Sequence, residues 1–500
     1  MTLVSDFFRR AAQHPARTAL IDSDGARVSY GELARMVAAQ SGHFRRTGIG
    51  AGDRVLVTLK VAVPLYASLY ALWSIGAVVV FPEPAMGFTG LRHAARIHID
   101  AWLAPPLWRV IGLLAPELRR IRRGLSPPPG VANDIAADDR ATGEVETADI
   151  VTGDIATVAA AAAAVPPEAP ALIFFTSGST GRPKAIVYTH GFILAQVAGL
   201  TPLFRPQAGE VDLCAFPLFV LACLNLGSTN VLPNWDLRKP RQAPLDAILA
   251  HARRHGVTRM LLPPALCERL VNSDIPPGVR AVLTGGGPVY PDLLRRLAAH
   301  VAEVYSVYGS TEAEPIAHVT AGEIAPADWA AMAAGQGILT GPPAPQVRVR
   351  IVDDEILVTG PNVNKGYLDP AQDAATKVTD DAGEIWHRTG DAGRLDAQGR
   401  LWLLGRLEGR VGGLFPFGVE AVARQWPHVE SAALYRDETG QPLLVLTGPA
   451  SSLDDWRQRA RAIGIGTVVH LEAMPLDRRH ASKIEYVQLR AVLARLARQR

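Results

Sequence analysis

The sequence predicts an α/β fold distributed over more than one domain, and three observations predict it. The chain has 500 residues, too many for one hydrophobic core, because cores stop growing at roughly 250–300 residues. Hydrophobic residues make up 48% of it and charged residues 20%, the balance of a well-buried globular enzyme. Helical patterns alternate with short apolar strands through the first half, the rhythm of largely parallel sheets covered by helices.

The elements read in order as follows. Tyr30–Thr47 has helical periodicity, and Arg54–Thr58 reads as a strand. Between Val61 and Phe81, twenty-one residues carry no charge, a length that also suits a membrane span. Pro64 and Gly76 argue instead for a helix over Pro64–Ile75, a turn, and a strand Ala77–Phe81. Met1–Arg10 has no cationic start followed by an apolar core, so no signal peptide is expected. Residues 125–170 break the rhythm. Ser126-Pro127-Pro128-Pro129-Gly130, scattered acids and the alanine run Ala159–Ala164 read as a low-complexity surface excursion. Ala171–Phe175 and Ala185–Tyr188 read as buried strands on either side of a polar loop, and Leu283-Thr284 ends a further strand at Gly285-Gly286-Gly287-Pro288. Val347–Ile351 and Glu355–Val358 form a short β-hairpin around Asp353-Asp354. The tail Leu489–Arg500 sets Val492, Leu493 and Leu496 among four arginines. The ordinary expectation is a terminal helix docked on its own domain, with a membrane-surface helix as the alternative.

Charge and cysteine usage exclude some classes. A net charge of +3 is too small for a phosphate-backbone binder, so no nucleic-acid partner is expected. Cys214, Cys223 and Cys267 are widely spaced and odd in number. They make neither a disulfide framework nor a metal cluster, which favours a reducing, cytoplasmic location.

The polar loop is Thr176-Ser177-Gly178-Ser179-Thr180-Gly181-Arg182-Pro183-Lys184. Two serines, two threonines and two glycines between strands present N–H groups and hydroxyls to one point, and Lys184 adds a full positive charge. The natural guest is a polyphosphate. The Walker spacing is absent. The loop instead resembles the phosphate loop of the acyl-adenylate-forming superfamily of acyl-CoA synthetases, peptide-synthetase adenylation domains and luciferases. Tyr308-Gly309-Ser310-Thr311-Glu312 resembles that family's aromatic-Gly-x-Thr-Glu motif, and Thr389-Gly390-Asp391 with Gly405-Arg406 resembles its ribose-binding pair.

The resemblance implies a large N-terminal AMP-binding domain over residues 1–405, built of α/β subdomains plus a β subdomain. It implies a small mobile α+β C-terminal domain over residues 406–500, with Glu408 at the hinge. It implies ATP and Mg²⁺ as cofactors and a small-molecule carboxylic acid as substrate. Thr176–Gly181 and Lys184 would hold the β- and γ-phosphates, Glu312 would bind the metal, and Thr311 would reach the α-phosphate. Gly285, Gly286 and Gly287 would let backbone approach the adenine edge, with Tyr308 offering its ring and Gly309 and Ser310 also among the nucleotide-binding residues. Asp391 would accept the ribose hydroxyls beside Arg406. Lys483, in Ser482-Lys483-Ile484, matches the catalytic lysine.

The acyl end lies at Phe216-Pro217-Leu218-Phe219-Val220-Leu221-Ala222-Cys223. Val220 stands where many relatives carry a histidine, so Pro217, Phe219 and Val220 suit a hydrophobic, fatty-acid-like substrate; a core strand is the bland explanation of the same run. That segment, Leu414-Phe415-Pro416 and Asp477-Arg478-Arg479-His480 resemble the β-lactone synthetases of olefin and β-lactone biosynthesis. Those relatives adenylate a 3-hydroxy acid whose own hydroxyl then displaces AMP. Val411-Gly412-Gly413 replaces the usual Lys-x-x-Gly after the hinge, which weakens the alternative in which coenzyme A or a carrier protein thiol is the acceptor. The outside alternative is a non-catalytic nucleotide-binding paralogue.

Overall fold

The computed structural model describes residues 2–82, 87–112, 115–121, 123–126, 154–176, 184–204, 209–239, 242–477 and 482–498. Contacts divide the chain into two compact units. The first is Met1–Arg238, Asp246–Thr258 and Gly366–Asp373; the second is Lys239–Leu245, Arg259–Lys365 and Ala374–Arg500.

In the first unit, a six-stranded sheet runs in the order Arg123–Leu125, Ala101–Leu103, Arg54–Val57, Val78–Phe81, Pro170–Thr176, Lys184–Thr189. All neighbours are parallel except the last pair. Apart from the edge strand Arg123–Leu125, the parallel strands are near-continuous apolar and buried runs, as expected of a parallel sheet covered on its faces. Helix Tyr30–Arg46 begins with a capping box. The Glu32 N–H donates to Ser29 Oγ at 3.2 Å, and the Ser29 N–H donates to the Glu32 carboxylate at 2.7 Å. Such a cap is worth about 1 kcal/mol.

The uncharged stretch after Val61 is helix Val63–Ser74 followed by strand Val78–Phe81, as expected. It is apolar all round because it is buried all round. Tyr66, Tyr70 and Trp73 are fully covered, and Trp73 Nε1 donates to the Ala171 carbonyl at 2.7 Å. Among the described residues, no helix is long and apolar enough to cross a membrane.

The alanine run is a correction. It lies at the surface as expected, but as an ordered helix, Ile155–Ala164, capped by the Asp154 carboxylate, with Val158 and Ala162 buried. Alanine is the best helix former, and its small side chain lets the Thr2 hydroxyl reach the Ala162 carbonyl at 3.0 Å. Residues 127–153 lie outside the described residues.

In the second unit, strands Arg259–Leu262, Ala281–Gly285 and Glu303–Ser310 are parallel neighbours, and Ala313–Thr320 returns antiparallel. A second sheet runs in the order Ile338–Gly341, Leu401–Arg406, Ile385–Leu395, Glu355–Thr359, Arg348–Val352. Its predicted hairpin closes at Asp353 (φ 51°) and Asp354 (φ 66°). Two consecutive positive φ values make the primed turn whose twist matches the strands.

The residues after 410 form a three-stranded sheet, Ser431–Arg436, Pro442–Thr447 and Thr467–Leu471, with helices Pro416–Ala423, Leu453–Ala462 and Tyr486–Arg498. Two clusters are drawn from this segment alone. One centres on Trp456, Leu434 and Leu444; the other packs Val492, Leu493 and Leu496 of the last helix against Ala433, Val445 and Leu489. The apolar stripe of the basic tail is therefore covered by its own segment.

Candidate active site

The polar loop belongs to the first unit. Thr176 and Lys184 are paired in register across an antiparallel ladder, so the ends of the polar loop are hydrogen-bonded neighbours. Ser177, Gly178, Ser179, Thr180 and Gly181 lie outside the described residues. Lys184 is half-buried, and its ammonium lies 5.2 Å from the centroid of the Tyr367 ring. That distance is within cation–π range, which steers the charge without neutralising it.

The segment predicted to form the acyl pocket is helix Pro217–Leu226, not a strand. A continuous apolar run carries no period that separates the two. Pro217 sits in the first turn, where its missing N–H costs nothing. Its carbonyl accepts from the Tyr66 hydroxyl at 3.3 Å. Phe219 is half-buried, and its ring lies 5.5 Å from that of Phe216. Val220 has no exposed surface; of the three predicted residues, Pro217 and Phe219 alone can meet a ligand directly in this conformation.

The second unit brings most of the remaining residues together. Tyr308, Gly309 and Ser310 end one strand, Thr311 and Glu312 make the turn, and Ala313 begins the next strand. The turn is braced from outside. The Asn364 N–H donates to the Glu312 carbonyl at 2.7 Å, and Asn362 Nδ2 donates to the Pro315 carbonyl at 2.9 Å. Ser310 Oγ is buried with no hydrogen-bond partner among the described residues. Such orphans are rare in a finished interior, and this one fits a polar guest at the turn.

Asp391 and Arg406 face each other in register on adjacent strands. Arg406 Nη1 donates to Asp391 Oδ1 at 3.0 Å and to the Thr389 carbonyl at 2.9 Å. The Tyr308 hydroxyl donates to Asp391 Oδ2 at 2.8 Å. Each carboxylate oxygen thus has one partner and keeps a lone pair for a ribose hydroxyl. Burial works against the Arg406 charge, yet Asp391 outweighs it and holds the pKa above its ordinary value. Burial, then Asp391, pushes the Tyr308 phenol well above its usual range. Gly390 lies at φ 69°, and a Cβ there would stand 2.7 Å from Arg406 Nη2. This position therefore requires glycine.

Gly285 ends strand Ala281–Gly285, and Gly286 and Gly287 follow it. A Cβ on Gly287 would meet the Ser482 Cβ at 2.5 Å, so Ser482 and exposed Lys483 come directly to this turn. The backbone of Lys483 is held by Asp477, which the sequence offered only as part of a motif. Asp477 Oδ1 accepts from the N–H groups of Ser482 and Lys483 at 2.9 and 2.7 Å. Arg478, Arg479 and His480 lie outside the described residues. Glu408 is exposed in a single helical turn, Leu407–Gly409, between strand Leu401–Arg406 and helix Pro416–Ala423.

A family model described as AMP-binding enzyme matches residues 7–368. The chain belongs to the AMP-binding enzyme family. It is 30% identical to an olefin beta-lactone synthetase of Xanthomonas campestris, covering 91% of this chain and 89% of that protein. It is 32% identical to one of Stenotrophomonas maltophilia, covering 81% and 78%. Among solved structures, the amide bond synthetase McbA of Marinactinospora thermotolerans superposes with a TM-score of 0.75 over 98% of this chain and 99% of that one, at 23% identity. Bacillus subtilis MenE, an o-succinylbenzoate coenzyme A synthetase solved with ATP and magnesium ion, gives 0.72 at 21% identity, over 97% and 99%. As an AMP-binding enzyme of this kind, the chain is an acyl-adenylate-forming acid ligase.

Mg²⁺ fits the residues present. Among the described residues, no group of three or more His, Cys, Asp or Glu could hold a metal ion. Mg²⁺ ordinarily needs only one or two carboxylates together with substrate phosphates. The Glu312 carboxylate on its braced turn is suited to that part, and the ion would supply countercharge to the phosphate oxygens.

Proposed function

We propose that this enzyme activates a hydrophobic 3-hydroxy carboxylic acid with ATP and then closes it to a β-lactone. The observation that carries the reading is the similarity to two olefin beta-lactone synthetases over 91% and 81% of the chain. The half-buried Phe219 agrees with an aliphatic substrate.

A carboxylate is a poor acyl donor because it must expel oxide. Its oxygen attacks the α-phosphorus of ATP in line with the departing pyrophosphate, and an acyl-adenylate forms. Catalysis of this step is mostly positioning and countercharge. Lys184 and the loop it ends attract the outer phosphates. Thr311 donates to the α-phosphate. The ribose hydroxyls donate to the remaining lone pairs of Asp391, and Tyr308 packs beside the base. Lys483 bridges the attacking carboxylate and the phosphate oxygens. Removing one such preorganised charge typically costs about 10²–10³ in rate, so Lys483→Ala should nearly abolish ATP–pyrophosphate exchange.

In the second half-reaction the 3-hydroxyl oxygen attacks the acyl carbon, the acyl–AMP bond breaks, and AMP and a proton leave. Tethering supplies the effective concentration that a second substrate would otherwise provide. Thioester formation is the second reading, favoured by 27% identity to a 2-succinylbenzoate–CoA ligase of Bacillus cereus over 87% of the chain.

Product mass decides between them. Purified protein is given ATP, Mg²⁺ and a racemic long-chain 3-hydroxy acid, with and without coenzyme A. The acid minus water, with AMP release in the absence of coenzyme A, is expected. Turnover only with coenzyme A, at the thioester mass, would retire the lactone reading.

A further inference from the structure

Lys483 is exposed, next to Ile484, which bridges antiparallel to Leu476. Its ammonium is a point charge on a flexible four-carbon stem, so its aim depends on where its backbone is held. Besides Asp477, two sets of contacts outside the reaction chemistry fasten the C-terminal segment that carries it, and both grip helix Pro264–Leu270 and residues 287–292.

The first set is at Ser482. Its Oγ accepts from the Ala265 N–H at 3.1 Å, across 217 residues of chain. Ala265 lies in the first turn of helix Pro264–Leu270, which has no side-chain cap because Pro263 precedes it. Ser482 supplies that missing acceptor. Its Cβ fits where Gly287 has none.

The second set is buried beneath helix Pro416–Ala423. The Arg424 side chain is only 9% exposed. Its Nε donates to Asp292 Oδ1 at 2.9 Å and its Nη2 to Asp292 Oδ2 at 2.8 Å, a two-pronged bond, and Nη2 also pairs with Glu268. The guanidinium lies 4.7 Å from the centroid of the Tyr290 ring. The Tyr290 hydroxyl donates to Glu420 at 2.6 Å. Glu268 belongs to helix Pro264–Leu270, as Ala265 does, and Tyr290 and Asp292 follow closely on Gly287. Both ends of the C-terminal segment are thus fastened to one small platform.

We propose that Ser482 and Arg424 are positioning residues that dock the C-terminal segment for the adenylation step. Their contacts with Ala265, Gly287, Asp292 and Glu268 aim Lys483. This rests on Lys483 being the adenylating lysine. A displacement of about 1 Å at a reacting group costs on the order of 10² in rate.

The test compares two reactions of full-length protein: ATP–pyrophosphate exchange, and AMP release from preformed acyl-adenylate. Losing one cap-type hydrogen bond predicts that Ser482→Ala lowers the exchange kcat by about 3–30-fold. KM values for ATP and acid, and the rate of adenylate consumption, stay within about twofold of wild type. Ser482→Thr keeps the acceptor and restores most of the rate. Arg424→Met, which leaves Asp292 and Glu268 with Arg296 as their remaining partner, loses about 10-fold in exchange, and Arg424→Lys falls between because it keeps charge without the fork. If Arg424→Met does not fold, the Ser482 pair decides alone. The proposal is overturned if Ser482→Ala exchanges at the wild-type rate, or if both reactions slow equally. Exchange retained in Lys483→Ala would instead overturn the role of that lysine, and neither result depends on what consumes the adenylate.

Discussion

Glu420 gives a pH-dependent prediction that does not depend on the substrate. Its carboxylate is 1% exposed. One oxygen accepts from the Tyr290 hydroxyl at 2.6 Å and the other from the Leu434 N–H at 3.1 Å. Burial pushes its pKa from 4.5 up to about 7, although both hydrogen bonds and the Arg424 guanidinium pull the other way. Tyr290 and Tyr486, which also face it, are raised far above neutrality and stay protonated across this range. The folded state therefore holds the Glu420 proton more tightly than the unfolded chain does. Stability falls as pH rises from about 4.5 towards 7 and levels off above that. A gap of about 2.5 pH units at about 1.4 kcal/mol each gives on the order of 3 kcal/mol. Glu420→Gln cannot titrate, so its Tm relative to wild type should become more favourable between pH 5 and pH 8. For cooperative unfolding of a chain this long the swing is on the order of 3 °C, readable by scanning calorimetry at the two pH values. A constant difference between variant and wild type, or one of opposite sign, would refute the reasoning.

Four further outcomes follow. Tyr308→Phe removes one hydrogen bond to Asp391; a loss of about 1 kcal/mol should raise the KM for ATP roughly fivefold in pyrophosphate exchange. Glu408→Pro fixes φ in the turn Leu407–Gly409 and should slow consumption of the adenylate more than exchange, whereas equal losses in paired assays would count against Glu408 as a pivot. Leu489→Ala hollows the cluster that holds the last helix and should cost about 2–5 kcal/mol, seen as a lower Tm. Liposome pelleting should be the same with and without the last twelve residues.

What the sequence revealed and what it hid have physical causes. The loop strands, the uncharged helix–strand unit and the Asp353-Asp354 turn were legible because each rests on local chemistry: an apolar run, a proline, a residue tolerant of positive φ. The pairing of Asp391 with Arg406 was legible through family motifs. Helix Pro217–Leu226 was not, because unbroken apolar residues fit a buried strand equally well, and only the fold around them decides. The alanine run was misread for want of a visible partner; Thr2 lies 160 residues away. The same blindness hid Tyr308 as a donor to Asp391 and Arg424 as a partner of Asp292, separated by 83 and 132 residues. Asp477 was in view as part of a motif, yet its grip on Lys483 depends on a backbone turn that residue types alone do not specify.

Arg406 ends its strand, and the turn bearing Glu408 starts at the next residue. Its guanidinium is shared between Asp391 and the Thr389 carbonyl. A ribose hydroxyl held by Asp391 as proposed would lie one hydrogen bond from the residue at which the strand ends and the turn bearing Glu408 begins. The nucleotide and the root of the C-terminal segment would then share a single guanidinium.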